Sequence, residues 1–236
     1  MIAGEMEIEA RDPEVDLVGR DRRPRSRQRR GAIVEAAVTV LGRQGYGETS
    51  MKEIAREAGV APGLLHYHFE SKEDLLLAVV AELERELTQT WEEALRGIDD
   101  PLERLVAALG ATESLRHRNP DFWRLLFDMF MLGLANPTLH ERCQELWAHF
   151  TDGVESEIRQ VLGRLPAYTI VPPHDLAGAV AAGIQGISLT ALIEARDPEA
   201  NFRAFRVLLL SLVVTAYVTA GQEPPLARLA ELAGRR

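Results

Sequence analysis

Residues 50–76 read "SMKEIAREAGVAPGLLHYHFESKEDLL", and the fold follows from how this stretch is punctuated. Ser50 stands three residues before Glu53, an S-x-x-E capping box in which each side chain accepts from the other residue's amide at a helix start. The spacing predicts a helix from near Met51 that turns Met51, Ile54, Ala55 and Ala58 inward. It is barely two turns long, because Gly59 is free to take the left-handed conformation that ends a helix sharply. Pro62 then sits in a first turn, where a missing amide hydrogen costs nothing, so a second helix starts within three residues of the first. Two short helices joined so tightly must cross steeply, with Val60, Leu65 and Phe69 plugging the crevice. This is a helix-turn-helix. The second helix keeps Pro62, Gly63, Leu64, His66 and Tyr67 outside, a shape that enters a B-DNA major groove N-terminal end first.

Upstream, "RQRRGAIVEAAVTVLGRQGYGETS" (27–50) puts Ile33, Ala37, Val40 and Leu41 on one helical face, and Gly45 and Gly47 end the run. The charge pattern fits a DNA-binding unit here. Residues 1–19 hold six acids against one Arg, whereas residues 20–72 hold eleven Lys or Arg against six acids, within a chain whose net charge is −9. Seven arginines crowd into residues 20–30, with no apolar residue to anchor them in a core. Such a run is either a solvated tail or a basic arm beside a nucleic-acid-binding unit. The expected organisation is a disordered, acidic then Arg-rich arm over 1–26, a DNA-binding domain over 27–80, and a larger helical domain over 81–236.

The 49–76 segment "TSMKEIAREAGVAPGLLHYHFESKEDLL", with the preceding "GYG", resembles the DNA-binding domain of the TetR family of bacterial transcriptional regulators. The likeness covers about Arg27 to Val80. It implies an all-α protein, a three-helix DNA-binding domain followed by a larger helical ligand-binding and dimerisation domain, acting as a ligand-responsive homodimeric repressor. It also implies phosphate contacts from Thr49, Ser50, Tyr67, His68 and Lys72, the lysine opening the fourth helix. Arg27, Arg29, Arg30 and Lys52 complete the expected DNA-facing set, around the base-facing Pro62, Gly63, Leu64 and His66. Ala61 stands where many members carry Ser or Thr, and Leu64 where many carry Thr, so two hydroxyl contacts are missing. Ser71 can cap the fourth helix, whose free amides attract an anion beside Lys72. His66 and His68 are two apart, on different helix faces, so no zinc site is expected.

Beyond Val80 the pattern stays helical, with seven helices expected near 71–96, 101–118, 119–136, 136–165, 173–195, 198–220 and 225–233. Large apolar side chains gather in the first four, and each is either core or part of an effector pocket. The resemblance implies such a pocket, and Trp91, His117, Phe127, Met131, Trp147, Phe150 and Gln185 are its candidates, with Glu113, Asp128 and His149 as further polar ones. That lining suits an apolar or aromatic small molecule. The stretch 119–147 is also similar to the C-terminal domain of one branch of the family. Gly178, Ala182 and Gly186 recur every four residues, which lets another helix approach, either within the chain or across a two-fold axis.

Composition closes off other classes. Cys143 stands alone, so no internal disulfide forms and a reducing cytoplasm is expected. The N-terminus lacks a secretory pattern. The apolar run 207–220 is too short to cross a bilayer and reads as a buried helix, with no membrane partner expected. No glycine-rich phosphate loop, nucleophile elbow or repeated metal-ligand spacing occurs, so neither an enzyme nor a cofactor is expected. A helical interaction protein whose helix-turn-helix no longer binds DNA is the alternative of a different class.

Overall fold

The computed structural model describes residues 22–119, 121–165, 170–194 and 197–234, excepting the side chains of 22–25, 116 and 117. The acidic stretch expected at 1–19 and the first residues of the arginine run lie outside the described residues. Ten helices follow one another, and no strand occurs among the described residues: α1 (Arg22–Glu48), α2 (Met51–Glu57), α3 (Pro62–His68), α4 (Lys72–Leu95), α5 (Pro101–Arg118), α6 (Phe122–Gly133), α7 (Pro137–Leu162), α8 (Pro173–Glu194), α9 (Glu199–Thr219) and α10 (Leu226–Gly234).

Local chemistry sets these limits. At the start of α2, Ser50 Oγ accepts from the Glu53 amide at 3.3 Å, while the Ser50 amide donates to Glu53 Oε2 at 2.9 Å. Gly59 follows α2 with φ +65°, the left-handed turn its position requires. Pro lies in the first turn of α3, α5 and α7, and Ser71, Asp100 and Asn136 cap α4, α5 and α7 by side-chain acceptance. The helix α1 begins at Arg22, earlier than the apolar periodicity announces. Pro24 is the one breaker in that stretch, and it falls in the first turn, where it is tolerated.

Ile33, Ala37, Leu41, Ile54, Leu65 and Phe69 form the buried centre of the α1–α3 unit. Its core is continuous with that of the larger domain, because α4 passes from one to the other and α6 packs against both α1 and α4. A methyl group at Gly42 of α1 would meet Asp121, just before α6, at 3.0 Å, so this approach is close. The helix α8 lies along α7, and α9 bridges α5 and α8. Arg228 of α10 donates to Glu103 at 2.7 Å and to Asp100 at 3.3 Å, closing the end of the domain onto α5. Cys143 is buried, and burial pushes its thiol up to about 11, so it stays protonated and unreactive at neutral pH.

One expectation changes. By length and composition α8 and α9 each reach what a bilayer span needs, and neither is buried all round. Leu189 and Ile193 of α8 and Val207, Leu208, Leu212 and Val218 of α9 are exposed. The residues 207–220 therefore do not form a buried helix: the core covers one side only.

Candidate functional site

The exposed surface of the α1–α3 unit is where the sequence places DNA contacts. Pro62, Gly63, His66 and Tyr67 are exposed on α3, Tyr67 at 78%, while Leu64 and His68 are half-buried. Nothing within 4 Å would meet a side chain at Gly63, so the protein itself does not need a glycine there. Its smallness is available to whatever α3 approaches. Ser50 and Lys52 at the start of α2, and Arg27, Arg29 and Arg30 on α1, are exposed as well. The Arg30 guanidinium lies 4.7 Å from the centre of the Phe69 ring, which ties the basic stretch of α1 to the end of α3.

Two of the expected phosphate contacts are turned inward. Thr49 is buried, and its hydroxyl donates to the Gly45 carbonyl at 2.6 Å, where φ of +76° kinks the end of α1. The Lys72 ammonium donates to the carbonyls of Tyr46 and Thr49, both at 2.5 Å, and lies 3.8 Å from the Tyr46 ring centre. Burial lowers the Lys72 pKa, and Glu73 and Glu53 oppose that shift. The ammonium thus holds the α1–α2 turn against the start of α4. We expect Lys72→Ala to lower stability by about 2 kcal/mol, the scale of a charged hydrogen bond. DNA affinity should fall alike for every duplex while the salt slope stays put. A slope reduced by about 1 would instead return Lys72 to the phosphate backbone.

A cleft of about 390 Å³ opens between α4 and α7, with Arg104 of α5 at one end. Small-molecule sites commonly span about 300–1,000 Å³. Trp91 and Phe150 line it, their rings 5.6 Å apart and edge to face, together with Glu92 and His149. Trp147 stands behind Phe150, ring centres 6.0 Å apart. The other candidates separate from it. Met131 is 67% exposed and cannot line a cavity, because α6 turns it to solvent; Phe127 packs half-buried against the core near Trp123. Gln185 is half-buried on α8, away from the cleft, and the His117 side chain lies outside the described residues. Glu113 lines a different hollow, of about 420 Å³, between α5 and α9.

Leu87, Thr88, Glu92, Leu95, Arg96, Arg104 and Gly153 also line the cleft without having been singled out by sequence. The available signal was Gly153, an isolated glycine inside a long helical run. Arg104 is paired through two bonds of 2.7 and 2.8 Å with the buried Glu157, so it brings little net charge.

On α8 the small residues divide. Gly183 faces α9, where a methyl group would lie 2.6 Å from the Phe205 ring, so this glycine serves packing within the protomer. At Gly178 and Gly186 a methyl group would meet nothing within 4 Å, and Ala182 is exposed between them. Leu189 and Ile193, further along α8, and Leu208 and Leu212 of α9 are exposed as well.

A helix-turn-helix with a basic, exposed flank, joined by a long helix to an all-α domain with an internal cleft, defines a DNA-binding transcriptional regulator. The chain belongs to the TetR family. Residues 33–79 match the family model "Bacterial regulatory proteins, tetR family", and residues 101–229 match "BetI-type transcriptional repressor, C-terminal". The HTH-type transcriptional regulator BetI of Rhizobium meliloti (strain 1021) is 43% identical over 81 residues, which is 34% of this chain and 40% of that protein. Its counterpart in Brucella anthropi is 36% identical over 86 residues, 36% of this chain and 44% of the relative. The match thus spans less than half the length of these curated relatives. Solved structures share the fold: a putative TetR-family regulator from Rhodococcus sp. (TM-score 0.65, 22% identity, 75% of this chain and 95% of that one), and a putative transcriptional regulator from Saccharomonospora viridis in complex with choline (TM-score 0.66, 23% identity, 76% and 94%).

Proposed function

We propose that this regulator is a homodimeric repressor that holds operator DNA through α1–α3 and is released by a small apolar or aromatic effector seated between α4 and α7. The observation that carries the reading is the double duty of α4. Its first residue, Lys72, grips the turn ahead of α2, and its far end supplies the Trp91 wall of the cleft. A ligand that fits better with α4 tilted weakens DNA binding by the free energy with which DNA weakens ligand binding, typically about 1–3 kcal/mol. The dimer would form through the apolar surface of α8 and α9, since one short recognition helix reads only a few base pairs. In this reading those helices are subunit faces and not membrane spans, the protein works in the cytoplasm on the chromosome, and nothing calls for catalysis or a cofactor.

A specific observation favours one second effector class. Trp91, Phe150 and the acidic Glu92 all line the cleft, a combination of residue types that suits a quaternary ammonium ion. The structural neighbour from Saccharomonospora viridis is in complex with choline.

Selection from a random duplex pool tests the DNA half, and release of the selected duplex by choline or by toluene tests the effector half. Enrichment of one two-fold-symmetric sequence is expected. Each phosphate neutralised contributes about −0.9 to the slope of log affinity against log salt, so replacing Arg27, Arg29 and Arg30 together by Ala should flatten it by up to about 2.7. No enrichment over random duplex would leave the helix-turn-helix without a DNA role. A slope unchanged in the triple variant would remove the arginines from the interface.

A further inference from the structure

We propose that Trp91 is the element through which an occupant of the α4–α7 cleft moves α4, and that Thr112 and Gly153 are the residues that position it. The inference rests on the effector reading above and adds the part that transmits it. The indole belongs to α4 but is pinned on two other helices. Its nitrogen edge donates to Thr112 Oγ1 of α5 at 3.3 Å. Thr112 is fully buried, and its own hydroxyl donates to the Ala108 carbonyl at 3.1 Å, so the acceptor is fixed in direction. The opposite edge rests on the backbone of α7 at Gly153, where a methyl group would lie 3.0 Å from Cζ3 and 3.5 Å from Cε3. Phe150 meets the ring edge to face.

The ring is therefore held at both ends, and it also forms a wall of the cleft. A ligand that fits beside the ring as it stands keeps α4 at its present spacing from α7. One that needs more room must either draw the nitrogen off Thr112 or push α4 outward. From Trp91 to Lys72 is 19 residues by number, roughly 28 Å of helix at 1.5 Å per residue. A tilt of about 5° over that length displaces the Lys72 end by about 2.5 Å. Gly153 sets the sensitivity of the device, because it lets the indole lie flush on α7. Any side chain there pushes the ring into the space an occupant would take.

Full-length protein labelled with 5-fluorotryptophan gives one ¹⁹F resonance for each of its three tryptophans, and loss of a peak in Trp91→Phe assigns Trp91. Gly153→Ala, with no ligand added, is expected to shift the Trp91 resonance while Trp123 stays in place. It should weaken binding of the selected duplex at least about fivefold, the low end of allosteric coupling. Adding Trp91→Phe to Gly153→Ala removes the benzo atoms that collide and should restore affinity, which a merely destabilised α7 would not do. Should Gly153→Ala fail to fold, Thr112→Val frees the nitrogen edge at constant volume, and it too should move the Trp91 resonance and change affinity for the selected duplex. An unmoved resonance, unchanged duplex affinity, or no rescue by Trp91→Phe overturns the proposal. Failure of choline and toluene to bind the wild-type protein would instead overturn the effector reading while leaving the rescue result intact.

Discussion

Leu208→Asp is expected to leave the protomer folded and to block the proposed pairing of two copies through α8 and α9, taking operator binding with it. Leu208 is 62% exposed on α9, so a carboxylate there is solvated in the isolated protomer and costs it little. Pairing through the α8–α9 surface would change that. A two-fold axis repeats one patch on both subunits, so each added charge arrives in an apolar interface that also holds its copy. Like charges brought together in an interface cost several kcal/mol. About 4 kcal/mol would raise the dimer dissociation constant roughly a thousandfold. Sedimentation equilibrium should report a dimer for the parent protein and a monomer for the variant at the same concentration. Circular dichroism should show the same helix content, and binding to the selected duplex should fall to that of random DNA. A variant that sediments as a dimer and binds its operator normally would place the pairing surface elsewhere.

The second large effect concerns stability. Glu157 of α7 accepts two hydrogen bonds from the Arg104 guanidinium and a third from Gln160 at 3.1 Å, while Arg104 Nη1 donates to the Ile98 carbonyl at 3.1 Å. One arginine thus joins the segment after α4, the start of α5 and the C-terminal part of α7. Glu157→Ala leaves a mostly buried guanidinium without its counter-charge, a loss we place at about 3 kcal/mol. For a chain of this length each kcal/mol moves the melting midpoint by about 2–4 °C, so a fall of about 6–12 °C is expected. The double replacement Arg104→Met with Glu157→Leu should recover most of it, because apolar groups of similar volume often substitute for a buried pair without loss. A midpoint within about 2 °C of the parent in Glu157→Ala would mean that the pair contributes nothing.

The DNA-binding end was legible in detail. The Ser50–Glu53 box, the positive φ at Gly59 and the buried Ile54, Ala55, Leu65 and Phe69 all stand where the sequence puts them. So do the starts of α5, α7 and α8 at Pro101, Pro137 and Pro173. The cleft was legible in part. Trp91 and Phe150 line it and Trp147 backs it, whereas Met131 points to solvent and Gln185 sits on another helix. Aromatic and thioether side chains look alike in a sequence whether they face a core, a cavity or water.

Caps, breakers and the 3.6-residue period act within a turn or two of chain, so the all-α fold, the succession of helices and the helix-turn-helix could be read locally. Helix packing in three dimensions was needed to see that Lys72 and Thr49 hold a turn together, that Gly183 seats Phe205 while Gly186 stays open, and that Trp91 is gripped between Thr112 and Gly153. Each of these pairings except the hydroxyl of Thr49 joins residues 20 or more positions apart. Which of many chemically suitable partners a side chain meets depends on how whole helices pack, and no local pattern carries that information.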